Sequence, residues 1–277
     1  TEEPVKKVYP DFFAEFGKNS FAAYGKDVPS LKSEMNYFIL SSLGVGSFSY
    51  STVSPSVGKV VKRDFSELKE YDGYNVSSKY YGEAMKRVMK LQGAAKTVRA
   101  IDLVKGLKGY AAAGEGFVSA MKAEKTELSG KRVLVVGCGV VGKSVIVALL
   151  AAKARVDVYD VLPHVALEFK KRIKENVYVL REISEDTEYD VIVNAAPEAD
   201  AETVSQKVLE KCPVFADTTS YKKSKMAEIC EKAGGKAIGA KSFEFFRAYY
   251  SVCIFLKRDP SEEEAMGLYG KFIKSER

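Results

Sequence analysis

The chain has 277 residues, 46% of them hydrophobic and 29% charged, enough for two globular domains with sizeable cores. No apolar run reaches the roughly 18 residues of a membrane span, and 15 Phe with 16 Tyr argue against a disordered chain. Lys and Arg number 43 against 37 Asp and Glu, a net +6 interspersed with acids along amphipathic segments, so a dedicated nucleic-acid patch is not indicated.

The opening TEEPVKKVYPDFF lacks the basic-then-apolar order of a secretory signal. Helical pattern then covers 31–40 and 82–92, and short strand-like pieces fall at 73–76 and 100–104. From 131 the pattern changes. The apolar run 131–136 leads into Gly137-Cys-Gly-Val-Val-Gly142, a helix-compatible stretch to 154, and a second apolar strand at 156–160. That is the order of a parallel β-α-β unit. Further strands are predicted at 177–180, 191–194, 214–216 and 236–238, with amphipathic helices at 164–174, 201–211 and 222–233. Two last helices are expected at 244–256 and 261–274. The alternation predicts an α/β protein with a doubly wound parallel-sheet Rossmann domain. The expected division is an N-terminal α/β substrate domain at 1–121 and the nucleotide-binding domain at 122–240. Helices at 241–277 are then expected to pack back on the first domain.

The cysteines are Cys138, Cys212, Cys230 and Cys253, with no CxxC pair, and the only histidine is His164. This inventory excludes a Cys/His zinc site, so no metal is expected. Cysteines scattered through apolar stretches suggest reduced, buried thiols and a cytoplasmic protein.

The glycine run carries the chemistry. Gly137 permits a tight turn, Gly139 lets a pyrophosphate approach the backbone, and Gly142 lets the helix pack close to the strand. Val140 and Val141 open that helix, whose N-terminus favours an anion. Cys138 fills a small-residue position in the loop and is expected to pack rather than attack. Asp160, 23 positions after Gly137, can bind both ribose hydroxyls of adenosine and would repel a 2′-phosphate. The following Val161-Leu162 offers no arginine for such a phosphate, so NAD is favoured over NADP. S-adenosylmethionine, whose ribose also suits an acid here, is the minority cofactor alternative. A Rossmann domain that has lost its ligand stands as the bland reading.

Laid end to end, the chain resembles the shikimate/quinate dehydrogenase family over nearly its whole length. Thr52-Val-Ser-Pro55 resembles the family's serine-rich SxSP segment, and residues 73–85 resemble GxNVTxPxK. Ala100-Ile-Asp-Leu103 falls where the family has AVNT, and residues 109–117 are similar to GYNTDGxGF. Asp190-Val-Ile-Val-Asn-Ala-Ala-Pro197 resembles DxVVNATP, and residues 239–255 fall on the family's final helix. The resemblance implies a two-domain dehydrogenase. In it Thr52, Ser54 and Ser77 would bind a substrate carboxylate or hydroxyl, and Asn194, Ala195 and Ala196 would line the nicotinamide side. Turn and cap chemistry around Pro55 is an equal alternative for Thr52, Ser54 and Ser77, and a strand-end cap is one for Asn194.

The departures are chemical. At the family's catalytic lysine position stands Tyr81, and at its catalytic aspartate position Ala113. Ala111 replaces a substrate-binding asparagine, Asp102 stands at the asparagine of AVNT, and the final-helix glutamine falls near Phe246. Ordinary shikimate dehydrogenase activity is therefore not expected. If the segment is extended, Lys79 faces the same way as Tyr81 and could form a new proton relay with Asp102; a solvent-exposed lysine and an unrelated aspartate is the alternative, and the more favoured one. Tyr81 could act as an acid or simply fill volume. The reading is an NAD-dependent oxidoreductase acting on a small polar, carboxylated substrate, as a monomer or homodimer without nucleic-acid or membrane partners. A silent nucleotide-binding paralogue and an S-adenosylmethionine-dependent transferase remain the alternatives.

Overall fold

The computed structural model describes residues 20–24, 31–45, 48–53, 68, 71–197, 199 and 203–276. The chain divides into two compact units, Thr1–Ala112 with Ala248–Arg277, and Ala113–Arg247.

In the first unit the described elements are β1 (Ser20–Tyr24), α1 (Leu31–Ser42), β2 (Ser49–Val53) and β3 (Gly73–Val76). A 3-10 turn at Ser78–Tyr80 runs directly into α2 (Tyr81–Met85). Then come β4 (Lys90–Leu91), α3 (Ala95–Val98), β5 (Leu103–Lys105) and β6 (Lys108–Tyr110). They form a six-stranded mixed sheet, ordered β2-β1-β3-β5-β6-β4. β1 is flanked by parallel partners, and β5 pairs antiparallel with both β3 and β6. β1 is apolar on both faces because both are covered. Phe21 stacks on Phe255 with ring centroids 4.8 Å apart. A Cβ at Gly73 would stand 2.7 Å from the same Phe255 ring, so only glycine fits that strand position.

The expected helix at 82–92 stops at Met85. Lys86 to Val88 turn the chain so that the Met89 N–H reaches the Leu107 carbonyl at 2.8 Å, and strand β4 follows. A sheet partner distant in sequence thus overrides local helix propensity. The strand expected from residue 100 begins at Leu103, after Arg99 adopts a left-handed φ of 55°.

The second unit opens with α4 (Ala113–Ala123) and β7 (Arg132–Val136), followed by α5 (Val140–Ala151), β8 (Arg155–Tyr159), α6 (Pro163–Ile173) and β9 (Val177–Leu180). The second half supplies β10 (Val191–Asn194), α7 (Gln206–Lys211), β11 (Val214–Asp217), α8 (Lys225–Lys232) and β12 (Lys236–Ile238). The sheet is all parallel, ordered β12-β11-β10-β7-β8-β9. This is the doubly wound order, with its switch point between β7 and β10. The Asp190 carboxylate fixes the start of β7, accepting the Arg132 N–H at 2.8 Å and the Lys131 ammonium at 3.1 Å. Leu134, Ile192 and Phe215 from three neighbouring strands meet Val208, Leu209 and Met226 in one core. α4 packs tightly within this unit. A Cβ at Gly114 would overlap the Ser144 carbonyl, and one at Gly116 would stand 2.7 Å from the Arg247 backbone.

Two helices complete the chain, α9 (Ala240–Leu256) and α10 (Glu262–Ser275). α9 carries buried Phe243, Phe245, Phe246, Tyr249 and Val252 around its girth, as a helix does when enclosed on all sides. The Tyr249 hydroxyl accepts the Ser261 N–H at 2.8 Å, at the cap of α10. α10 meets α1 through an edge contact of Phe38 with Phe272 at 5.4 Å. Among the described residues no helix is long and apolar enough to cross a membrane, and no acid, His or Cys group could hold a metal. All four cysteines are free and buried.

Candidate nucleotide-binding site and its surroundings

The strongest site lies where β7 gives way to α5. Gly137 takes a φ of 95°, a left-handed conformation that favours glycine. A Cβ at Gly142 would overlap the Gly137 carbonyl, so that glycine sets the closeness of helix to strand. Gly139 is the N-cap of α5, and no atom lies within 4 Å of where its Cβ would be. The loop therefore leaves open space beside a helix N-terminus, with the part-exposed Val140 and Val141 on the first turn. That is the cradle a pyrophosphate requires.

Asp160, just beyond β8, is joined to this loop. Its Oδ2 accepts the Cys138 N–H at 2.6 Å and its Oδ1 accepts the Leu162 N–H at 2.9 Å. Each oxygen keeps a lone pair that a ribose hydroxyl could use. Val161 and Leu162 are exposed beside it. Burial pushes the Cys138 thiol up to about 12, against a smaller opposite pull from Lys143, so it stays protonated and unreactive at neutral pH.

Residues 137–144 also read G-x-x-x-x-G-K-S, a phosphate-loop pattern. Both side chains of that pattern are engaged elsewhere. The Ser144 hydroxyl is buried and donates back to the Val140 carbonyl at 3.0 Å, while the Lys143 ammonium lies 5.8 Å from the Phe169 ring centre.

On the other side of the switch point, Asn194 ends β10. Its Oδ1 accepts the Ala196 N–H at 3.1 Å, and its Nδ2 donates toward Asp217 Oδ1 at 3.5 Å and Thr219 Oγ1 at 3.4 Å. Its amide is thus committed to shaping the strand end. Ala195 and Ala196 pack against the glycine turn, where a Cβ on Gly137 would stand 2.9 Å from the Ala196 Cβ. Asp217 and Thr219 did not emerge from sequence reasoning. Their only signal is an acid closing the apolar run 214–216 ahead of Thr-Thr-Ser, a strand-end turn pattern.

The first unit holds the remaining candidates. Thr52 lies part-buried on β2 opposite Ala23, while Ser54 falls outside the described residues. Ser77 precedes the 3-10 turn, and its Oγ is buried without a hydrogen-bond partner. Asp102 is buried, and both of its oxygens face the Ala112 N–H, at 3.0 and 3.2 Å. The extended geometry expected around Lys79 is not present. Residues 79 and 81 sit on consecutive helical turns and point apart, with Lys79 exposed and Tyr81 buried. Among the described residues no ion pair joins Lys79 to Asp102. Ala111 of the first unit and Ala113 and Phe246 of the second, where the resemblance implies polar residues, are all buried.

This fold and this loop define a Rossmann protein with a dinucleotide-type site. An NAD(P)-binding family model matches residues 125–222. By sequence, shikimate dehydrogenase (NADP(+)) of Photobacterium profundum is 25% identical over 139 residues, which are 48% of this chain and 51% of that protein. The match therefore spans about half the length of the curated relative. Shikimate dehydrogenase of Aquifex aeolicus superposes with a TM-score of 0.75 at 20% identity, covering 91% of this chain and 97% of the other. That of Thermus thermophilus, in complex with NADP(H) and shikimate, gives 0.73 at 21%, covering 91% and 99%. The chain thus shares the fold of these shikimate dehydrogenases along nearly its whole length.

Proposed function

We propose that the protein is an NAD-dependent oxidoreductase acting on a small, polar, carboxylated substrate other than shikimate. The observation that carries the nucleotide part is the hydrogen bond from the Cys138 N–H to Asp160, which sets a carboxylate beside the open Gly139 cradle. Gly137, Gly139 and Gly142 would hold the pyrophosphate, and Asp160 the adenosine ribose. A 2′-phosphate would meet that carboxylate, with exposed Val161 and Leu162 next to it rather than an arginine. A bound nicotinamide supplies hydride exchange. On the substrate side, the unpartnered Ser77 Oγ, and Thr52 on β2 one strand removed from β3, support a carboxylate or hydroxyl contact. Buried Asp102 and Tyr81 are the proposed proton-handling groups, with Lys79 able to join them only after its exposed side chain swings inward. Substrates with shikimate's hydroxyl pattern are disfavoured because Ala111, Ala113 and Phe246 offer no polar partner.

Titrating NAD, NADP and S-adenosylmethionine against the purified protein, with thermal stability as readout, tests the reading. NAD at about 100 times its dissociation constant should stabilise the fold by about 2.7 kcal/mol. Preferential stabilisation by S-adenosylmethionine would instead support the transferase reading, and tighter NADP binding would overturn the cofactor assignment.

A further inference from the structure

Two neighbouring strands of the Rossmann unit end in buried polar side chains. Asn194 closes β10 and Asp217 closes β11, paired in register and only 3% and 4% exposed. Asp217 Oδ1 collects three donors: the Thr219 N–H at 2.9 Å, the Thr219 hydroxyl at 2.7 Å and the Asn194 amide at 3.5 Å. Its Oδ2 is buried and receives no hydrogen bond. A turn needs one side-chain acceptor at this position, which an asparagine would supply as well. The strand-end turn therefore explains Oδ1 and leaves Oδ2 unexplained. A buried oxygen of this kind calls for a reason beyond the fold.

Its place in the sheet supplies one. Ligands of doubly wound sheets bind outside the carboxyl ends of the strands at the switch point. Here the glycine loop and Asp160 occupy the ends of β7 and β8. The ends of β10 and β11 remain for the second nucleoside of a dinucleotide.

We propose that Asp217 is a charge-selecting positioning residue of the cofactor site. Its buried carboxylate favours the oxidised, cationic ring of a nicotinamide dinucleotide over the neutral reduced ring. The inference rests on the nicotinamide reading above and adds to it a residue and an electrostatic role. In a poorly solvated site a carboxylate acts on a nearby cation with little screening, so it discriminates between ligands that differ by one charge. Asn194 and Thr219 hold the carboxylate in place, and the charge itself is the working feature.

The test is the pair of dissociation constants for NAD+ and NADH, measured by calorimetry on the full chain. Unmodified protein, Asp217→Asn and Asp217→Glu are compared, with thermal unfolding as the check on folding. Asp217→Asn should weaken NAD+ relative to NADH by about three- to tenfold, and Asp217→Glu should retain the original ratio. An unchanged ratio in Asp217→Asn, with both forms still bound, would show that Asp217 only holds the Thr219 turn. Should Asp217→Asn fail to fold, the unmodified protein decides: NAD+ should bind at least as tightly as NADH, and tighter binding of NADH overturns the proposal. Failure of both forms to bind would overturn the nicotinamide reading itself, and this role with it.

Discussion

The Asp160 carboxylate accepts the Cys138 N–H through Oδ2 at 2.6 Å, tying the end of β8 to the turn that follows β7. One side chain thus shapes the phosphate loop and presents the group that would meet the ribose. On the proposed reading, ligand preference and loop geometry would be coupled through it.

Asp160→Ala should weaken NAD binding about tenfold or more, since each lost hydrogen bond to a charged group is worth roughly 1.5–3 kcal/mol. NADP should lose much less, because removing the carboxylate also removes its repulsion of a 2′-phosphate. Calorimetric titration of both cofactors against both proteins checks this. Equal losses for the two cofactors would refute the ribose assignment.

The glycines separate fold from ligand. Gly139→Ala adds a methyl into open space, so the thermal midpoint should stay within a few degrees while nucleotide binding falls sharply. Gly142→Ala drives a methyl into the Gly137 carbonyl and should destabilise the fold by about 1–3 kcal/mol as overpacking does. Urea unfolding paired with cofactor titration distinguishes the two outcomes. A Gly139→Ala protein that binds NAD normally would remove the cradle from the argument.

Shikimate and quinate should show no significant turnover with either NAD or NADP. Oxidising a secondary alcohol requires a base at the hydroxyl, and the family's two relay positions here hold Tyr81 and Ala113. The double variant Tyr81→Lys/Ala113→Asp, assayed beside the unmodified protein, reports whether those positions limit the reaction. Robust turnover by the unmodified chain would mean that the departures had been misread.

Acid should unfasten the start of β7. The backbone N–H of Arg132 holds the Asp190 carboxyl below the usual carboxylate range, with Lys131 helping. A carboxylate depressed in the folded state stabilises it above its unfolded value and ceases to do so as pH falls through the folded one. Asp190→Asn should therefore lower the urea midpoint at pH 7, and the gap to the unmodified protein should close as pH drops below about 4. A gap independent of pH would assign the loss to packing.

The Rossmann half was legible because its signals are local. The apolar runs at 177–180, 191–194 and 236–238 coincide with β9, β10 and β12. In such short parallel strands, a run bounded by turn residues between helical segments marks the element. The first unit was read less well because its short strands owe their existence to distant partners. β4 has only two residues, and it ends the helical pattern of 82–92 by pairing with β6.

The site divides along the same line. The sequence by itself determined the glycine loop, since Gly137, Gly139, Gly142 and Asp160 are placed by spacing within one β-α-β unit. It also determined what positions 111, 113 and 246 lack, because an alanine or phenylalanine cannot carry a proton whatever surrounds it. Only the tertiary structure decided the rest. It set Lys79 outward and Asp102 inward, bound the amide of Asn194 into a strand-end network, and left Asp217 Oδ2 buried without a donor. The physical reason is that hydrogen-bond partners and burial are properties of neighbours in space. For Asn194 and Asp217 those neighbours are more than twenty residues apart and meet only because β10 and β11 pair.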